Sequence, residues 1–115
     1  MSKAREPEDL TRLFVELANE GDARGMAELY EEDAVMAYPP GAQTVGRDAI
    51  QKVFEQLVAN VPHFEQEESY PTIHHGELAL TSTKPSDNTG GRTQIVRRQS
   101  DGSWLRVIDR PEIKS

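Results

Sequence analysis

The chain has 115 residues, of which 36% are hydrophobic and 29% charged, so it has the size of one domain with one core. Its 20 acidic residues against 13 basic ones give a formal charge of −7, which repels phosphate backbones and anionic lipid and excludes nucleic acid and membranes as expected partners. The chain has no cysteine, which excludes disulfides, thiolate nucleophiles and zinc–thiolate sites.

No segment of the sequence has the apolar length of a signal peptide or a membrane span. We therefore expect a cytoplasmic protein whose residues 1–115 form a single domain. The sequence contains no glycine-rich phosphate loop and no Gly-x-Ser-x-Gly elbow. No cofactor is predicted.

The first predicted element is an amphipathic helix over residues 7–20. Its apolar residues follow the one-face spacing of a helix, at Leu10, Leu13, Phe14, Leu17 and Ala18. Gly21 is a natural left-handed stop. Asp22 then provides an N-cap for a short second helix, with Met26 and Tyr30 on one face. The two helices must pack closely because only this short turn joins them.

A short strand and a long third helix follow. The strand is predicted over residues 34–38 and ends at Pro39-Pro40-Gly41. The clearest periodicity of the chain then marks a helix over about residues 46–61, and Pro62 prevents its continuation. Its apolar stripe consists of Ile50, Val53, Phe54, Leu57, Val58 and Val61.

The rest of the chain changes to the period of two that strands have. Four strands are predicted, over residues 66–75, 77–84, 92–99 and 103–109. The last two meet at Ser100-Asp101-Gly102, which suits a tight hairpin, and the polar residues 85–91 form an exposed loop. Together the elements predict an α+β fold with three helices packed on a strongly bent, mostly antiparallel sheet of four or five strands around an internal pocket.

Four short motifs follow one another along the chain: Asn19-Glu20-Gly21-Asp22, Leu29-Tyr30-Glu31-Glu32-Asp33-Ala34-Val35, Gly46-Arg47-Asp48-Ala49-Ile50 and Asp101-Gly102-Ser103-Trp104. In this order they resemble the nuclear-transport-factor-two-like superfamily, and within it the SnoaL-like and ketosteroid-isomerase-like bacterial proteins, over residues 8–111. The resemblance implies a cone-shaped, cystatin-like fold, commonly homodimeric through the sheet, with a hydrophobic pocket for a small ligand. It implies no single activity, since isomerases, dehydratases, cyclases, binding modules and assembly domains share this fold.

Ketosteroid-isomerase chemistry needs a carboxylate base and two neutral hydrogen-bond donors that hold the enolate oxygen. In the register that the shared motifs imply, the tyrosine donor falls on Phe14 and the aspartate base on Tyr38. The second donor is an acid in the family and falls near residues 94–96, where this chain has none. Steroid isomerisation by that mechanism is therefore not expected.

Asp109 is the candidate general acid or base. Alternation along the last strand places it on the same face as Leu105 and Val107. If that face is the inner one, burial among apolar side chains disfavours the ionised carboxylate and suits Asp109 to acid–base work. The alternative is an ion pair that only fastens the end of the strand, with Arg98, Arg106 or Arg110.

Six residues are candidate ligand contacts: Tyr38, Phe14, Phe54, Thr81, Gln94 and Trp104. The resemblance places Tyr38 at the pocket mouth, where its hydroxyl donates to a ligand carbonyl or stays in water. The two polar strand residues offer hydrogen bonds, although threonine is also favoured in strands for structural reasons. The three remaining aromatic residues serve a core or an interface as readily as a ligand.

Two pairs of like residues, His74-His75 and Arg97-Arg98, stand in succession on predicted strands. Neighbouring strand residues point to opposite faces, so neither pair can hold one ion or ligand together. Which member of each pair faces the pocket stays open, and no metal site is predicted.

Three functions remain as hypotheses. The first is binding of a small, mainly apolar organic molecule in the pocket of a homodimer joined through the sheet, with polar contacts from Tyr38 and Asp109. The second is a SnoaL-like isomerase, cyclase or dehydratase that moves a proton on a carbonyl-bearing substrate. The third is a dimerisation or assembly module that uses the outer face of the sheet.

Overall fold

The helices agree with the sequence in number and position. The computed structural model describes residues 3–84 and 91–111. Its helices are α1 (Asp9–Asn19), α2 (Ala23–Ala27) and α3 (Arg47–Asn60). The Asp22 side chain accepts a hydrogen bond from the Gly25 amide at 2.9 Å and so caps α2, as predicted. Within the described ranges, no helix has the length and apolar character needed to cross a membrane.

One curled sheet of seven strands packs against these helices. The strands are β1 (Tyr30–Met36), β2 (Thr44–Val45), β3 (Glu68–Ser69), β4 (Ile73–His75), β5 (Leu78–Lys84), β6 (Arg92–Arg98) and β7 (Trp104–Arg110). Their order is β2-β1-β7-β6-β5-β3, with β4 also paired to β5. Only β1 and β7 run parallel among these pairs. The α+β class is confirmed, whereas the predicted four or five strands are too few, because β2 is too short to have a periodicity and the predicted strand over residues 66–75 is two strands.

The first strand begins earlier than its sequence pattern indicates. The prediction of a strand over residues 34–38, with Tyr30 on the second helix, is wrong, because α2 ends at Ala27 and Tyr30 begins β1. Tyr30 pairs with Arg106 and Val35 pairs with Ile108, so five steps along β1 accompany two along β7. This irregular pairing removes the alternation that would have marked the start of the strand.

The predicted strand over residues 66–75 is divided in two. Strands β3 and β4 pair with different parts of β5, through Glu68 with Lys84 and Ile73 with Leu80. Pro71 lies between them and has no amide hydrogen for a ladder bond. Residues 85–90 of the predicted loop lie outside the described residues.

A β-bulge interrupts β7 between its two inward-facing charged residues. Val96 of β6 pairs with Arg106, whereas the adjacent Ile95 pairs with Ile108, so β7 has one residue more than β6 at this point. An extra residue reverses the alternation of side chains beyond it. Arg106 before the bulge and Asp109 after it are consequently both buried, with 4% and 2% of their surfaces exposed.

The bulge also changes which residues of β7 share a face with Asp109. The prediction that Asp109 shares a face with Leu105 and Val107 is wrong, because those two residues are only half-buried while Trp104, Arg106 and Asp109 are buried. Regular alternation does not hold across the extra residue. Asp109 faces inward together with Arg106.

The core lies between the helices and the inner face of the sheet. Its most deeply buried apolar side chains come from both layers and include Leu10, Met26, Tyr30, Met36, Ile50 and Val96. The apolar stripes of α1 and α3 continue beyond this core. Phe14, Val53, Leu57 and Phe64 pack against the core but stay partly exposed, because a cavity lies beside them.

Candidate functional site

A cavity of about 710 Å³ lies between the helices and the curled sheet. Most of its wall is apolar and comes from α1, α3, β1 and the segment after α3, namely Phe14, Val15, Met36, Val53, Phe54, Leu57 and Phe64. Three buried polar side chains from β6 and β7 also face it, namely Gln94, Arg106 and Asp109. An apolar cavity with a few convergent polar groups is the usual form of a small-molecule site.

The polar side chains belong to a buried hydrogen-bonded group that we call the polar cluster, formed by Tyr30, Thr81, Gln94, Arg106 and Asp109. Cross-strand pairing brings its members together, since Thr81 pairs with Gln94 and Gln94 pairs with Asp109. On the other side of β7, Tyr30 pairs with Arg106. Four strands therefore build the cluster.

Two donors hold the carboxylate of Asp109. The Tyr30 hydroxyl donates to Asp109 Oδ2 at 2.5 Å, and Gln94 Nε2 donates to Oδ1 at 3.2 Å. Thr81 Oγ1 donates to Gln94 Oε1 at 2.8 Å, which fixes the orientation of the amide. Asp109 is thus held in one orientation with one donor on each oxygen among the described residues, and each oxygen can accept a further hydrogen bond.

Tyr30 remains a neutral donor in this arrangement. Burial away from water raises the pKa of Tyr30 well above its ordinary value, and the negative charge of Asp109 raises it further. The phenol therefore keeps its proton at neutral pH. It donates to Asp109 while its oxygen accepts from Arg106 Nη1 at 3.2 Å.

Arg106 lies between two aromatic rings. The carbon of its guanidinium group is 5.1 Å from the centroid of Phe14 and 5.6 Å from that of Tyr30, distances at which a cation is attracted to the ring face. Its Nε atom is buried and has no hydrogen-bond partner in the described part of the chain. In place of the ion pair with an arginine, which was the alternative for Asp109, the structure has a chain in which Tyr30 lies between Arg106 and Asp109.

A second polar group lies elsewhere in the cavity wall. Arg92 Nε donates to Glu67 Oε1 at 2.9 Å, and Thr83 Oγ1 donates to the same oxygen at 3.1 Å. Arg92 Nη1 also donates to the carbonyl of Pro111 at 2.9 Å. Among the described residues, the charged members of the wall are Glu65, Glu67, Asp109, Arg92, Arg106 and Arg110, three acidic and three basic.

Five of the seven predicted site residues lie in the cavity wall: Phe14, Tyr38, Phe54, Gln94 and Asp109. The rings of Phe14 and Phe54 meet edge to face, with their centroids 5.3 Å apart. Tyr38 is 45% exposed, as a residue at the rim would be. The wall thus has a phenylalanine and a tyrosine where the resemblance places the tyrosine and aspartate of ketosteroid isomerase.

Thr81 and Trp104 do not line the cavity. Thr81 is connected to the site by its hydrogen bond to Gln94, which does line the cavity. Trp104 begins β7, where its amide donates to the carbonyl of Ala4 and its ring meets His74 at 6.0 Å. Trp104 is buried like Arg106, but its contacts are with Ala4 and His74 and not with the cavity.

The paired histidines and arginines also lie outside the cavity wall. His74 and His75 are exposed on β4. Arg97 forms an ion pair with Glu31 at 3.0 Å, and Arg98 forms one with Glu77 at 2.6 Å. Among the described residues, no group of His, Asp and Glu is arranged to hold a metal ion.

Sequence reasoning missed Tyr30 and Arg106 as site residues. Tyr30 was assigned to a helix, and Arg106 was considered only as a partner for Asp109. A tyrosine beside an acidic run and an arginine within an apolar strand are the sequence features that could have indicated these two residues. The contact between them, however, depends on the parallel pairing of β1 and β7. No local pattern encodes that pairing.

The sequence matches the SnoaL-like domain family over residues 11–110. No curated protein matches it significantly. An NTF2-like protein with a cystatin-like fold from Novosphingobium aromaticivorans is 22% identical, with a TM-score of 0.66 over 89% of this chain and 75% of its own. The likeness confirms the fold that the motifs suggest, a fold shared by ligand-binding and isomerase-type proteins.

Two further solved structures are similar to this fold. A ketosteroid isomerase-like protein from Erwinia carotovora atroseptica has a TM-score of 0.72 at 16% identity, covering 94% of each chain. A protein from Thiobacillus denitrificans described as a calcium/calmodulin-dependent protein kinase type II association domain has a TM-score of 0.74 at 17% identity, over 98% of this chain and 100% of its own. At these identities the likeness concerns the fold alone.

Replacing Tyr30 by Phe should destabilise the protein by about 1–3 kcal/mol at pH 7, because the buried carboxylate of Asp109 loses a donor and Arg106 Nη1 loses its acceptor. Urea unfolding of wild type and variant measures the difference. Tyr70→Phe, at a tyrosine that is 51% exposed, is the control and should be nearly neutral. Equal stability of Tyr30→Phe and wild type would contradict the hydrogen bonds described.

The stabilities of wild type and Tyr30→Phe should depend differently on alkaline pH. Unfolded Tyr30 loses its proton near pH 10, whereas the raised pKa of Tyr30 keeps the proton on the folded protein at that pH. The contribution of Tyr30 to the free energy of unfolding is therefore complete below pH about 10 and declines as the pH rises further. The free-energy gap between wild type and Tyr30→Phe should narrow above pH 10, and a constant gap would contradict the burial of a neutral phenol.

Proposed function

Since the chain belongs to the family of SnoaL-like domains, we propose that it binds a small, mainly apolar organic molecule in its cavity. One observation carries the proposal. The cavity of about 710 Å³ has a mostly apolar wall and ends on the polar cluster, in which Asp109 and Arg106 can form further hydrogen bonds. Such a site takes up an apolar body and orients it by a few polar contacts.

The affinity of the site comes from the apolar wall. Phe14, Val53, Leu57 and Phe64 are only partly covered by protein, so a ligand removes their surfaces from water at about 25 cal/mol per Å² of apolar area. The free lone pairs of Asp109 and the hydroxyl of Tyr38 at the rim offer hydrogen bonds that fix its orientation. Polar contacts then select the ligand while burial stabilises the complex.

Filling the cavity should abolish binding. Leu57→Trp extends a wall residue of α3 into the space, whereas Lys52→Trp places the same side chain on the exposed face of that helix. With 2-acetylnaphthalene as the probe, wild type and Lys52→Trp should gain thermal stability as its concentration rises. The affinity for Leu57→Trp should fall by at least about tenfold. Equal stabilisation of all three proteins would place the probe outside the cavity.

An enzymatic role is the second candidate, and the orientation of Asp109 favours it. A general base must lie within reach of the proton that it removes and must be held in place by its neighbours. Asp109 faces the cavity with a donor on each carboxylate oxygen. In this role it would take a proton from the carbon beside a carbonyl, and the bonding electrons would move onto the carbonyl oxygen.

Exchange in heavy water tests this second role. Wild type should speed the replacement of methyl protons of 2-acetylnaphthalene by deuterium, followed by proton NMR, and Asp109→Asn should lower the catalysed rate by about 10²-fold or more. Asp101→Asn, at an exposed carboxylate on the hairpin, is the control. If wild type does not exceed the buffer rate although the ketone binds, the site binds without this chemistry.

We also propose that two copies of the chain pair through the outer face of the sheet. Six apolar residues lie in register across six strands of that face, in the order Ile73, Leu80, Ile95, Ile108, Val35, Val45. We call them the outer row, and its length is about 24 Å at the usual spacing of strands. Ile73, Ile108 and Val45 are 65%, 49% and 61% exposed.

A second copy suits the outer row because a twofold axis places the same surface opposite itself, so an apolar row meets an apolar row. An exposed apolar row of this extent is unusual on a protein that stays single. An assembly role alone, the third hypothesis, would not require the open cavity on the other face of the sheet. We therefore assign the outer row to pairing and the cavity to ligand binding.

Placing a charge in the middle of the outer row should separate the two copies. Wild type is expected to sediment with twice the mass of one chain, and Ile108→Glu with the mass of one chain, because pairing would bury an unpaired carboxylate. Lys52→Glu, on the exposed face of α3, changes the charge outside the row and should leave the pair intact. A wild type that sediments as a single chain at all micromolar concentrations contradicts the proposal.

A further inference from the structure

We propose that the unpartnered edge of Arg106 binds an uncharged oxygen acceptor of the ligand, such as the carbonyl oxygen of a ketone or an ester. This inference rests on the proposed ligand cavity and names the class of molecule it takes. The binding group is the part of the guanidinium that includes Nε. Arg106 replaces Tyr38 as the expected partner of the carbonyl.

The first argument is the unsatisfied donor. Arg106 is 4% exposed and belongs to the cavity wall. Its Nη1 donates to the Tyr30 hydroxyl at 3.2 Å, but its Nε is buried with no acceptor among the described residues. Nearly all buried donors in proteins have a partner, and those of charged groups are costly to leave without one. Since Arg106 lines the cavity, an acceptor that enters there and displaces the side chains covering Nε supplies the missing partner.

The second argument is that the guanidinium is held in place before any ligand arrives. It lies over the ring of Phe14 at 5.1 Å and that of Tyr30 at 5.6 Å, and Tyr30 is itself held by Asp109. Two rings and a hydrogen bond therefore limit its rotation. A donor that is already oriented loses little entropy when a ligand binds, which favours affinity and a single orientation of the ligand.

The third argument is the charge balance, which selects an uncharged acceptor over a carboxylate. Tyr30 links Arg106 to Asp109, so the polar cluster holds one positive and one negative group. Of the other charged wall residues that the structure describes, Arg92 and Arg110 balance Glu65 and Glu67. A carboxylate would bring an additional buried charge close to Asp109, whereas a carbonyl oxygen accepts the hydrogen bond without adding charge.

Three probes of similar shape separate these possibilities: 2-acetylnaphthalene has an uncharged acceptor, 2-ethylnaphthalene has none, and 2-naphthoate is a carboxylate. The nitrogen–proton correlation spectrum of ¹⁵N-labelled protein resolves arginine Nε–H groups, and contacts with the ring protons of Phe14 and Tyr30 identify that of Arg106. The ketone should shift this resonance downfield. The ethyl compound should shift backbone amides around the cavity and leave the Arg106 Nε–H in place.

Affinities measured by titration give a second readout. The ketone should bind at least about tenfold more tightly than the carboxylate, and Arg106→Lys, which keeps the charge but removes Nε–H, should lower the affinity for the ketone about tenfold. The affinity of Arg106→Lys for the ethyl compound should stay unchanged. Arg97→Lys is the control and should leave all three affinities unchanged, because Arg97 lies outside the cavity wall and is paired with Glu31. The wild-type spectra decide the question even if Arg106→Lys does not fold.

Each contrary result has a distinct meaning. If the ketone shifts the cavity amides but not the Arg106 Nε–H, the inference is overturned while the proposed binding function stands. Tighter binding of 2-naphthoate than of the ketone overturns the choice of an uncharged ligand and with it the inference. If none of the three probes binds, the proposed function fails and the inference fails with it.

Discussion

The hydrogen bond between Tyr30 and Asp109 is the interaction on which the site depends. A carboxylate with 2% of its surface exposed is costly to bury unless donors surround it, and Tyr30 and Gln94 supply those donors. The bond also joins β1 to β7, whose parallel pairing is irregular. It therefore links the stability of the fold to the geometry of the cavity.

The β-bulge of β7 makes this arrangement possible. In a regular strand, residues three positions apart, as Arg106 and Asp109 are, point to opposite faces of the sheet. With the bulge, a positive and a negative group face the same cavity and reach each other through one phenol. The cluster can consequently remain buried while parts of Arg106 and Asp109 are left for a ligand.

The sequence predicted the layers of the fold better than the contacts within the site. The apolar stripes of α1 and α3 are local patterns, so the helices and the apolar faces that carry Phe14 and Phe54 followed from spacing, whereas the placement of Phe14 at the pocket came from the resemblance. Asp109 was identified as the central acid, but by an alternation that the bulge breaks, and Trp104 was assigned to a ligand although it lies near Ala4 and His74. Tyr30 and Arg106 were missed because their contact depends on strands that are far apart in the chain, and non-local register has no periodic signature.

A direct test of the central interaction is to observe the hydroxyl proton of Tyr30 by NMR. A buried phenol that donates to a carboxylate over 2.5 Å should give a proton resonance well downfield of the backbone amides that exchanges slowly with water at pH 7. The resonance should disappear in Tyr30→Phe and move when a ligand fills the cavity. A Tyr30 hydroxyl that exchanges as fast as that of the exposed Tyr70 would contradict the account.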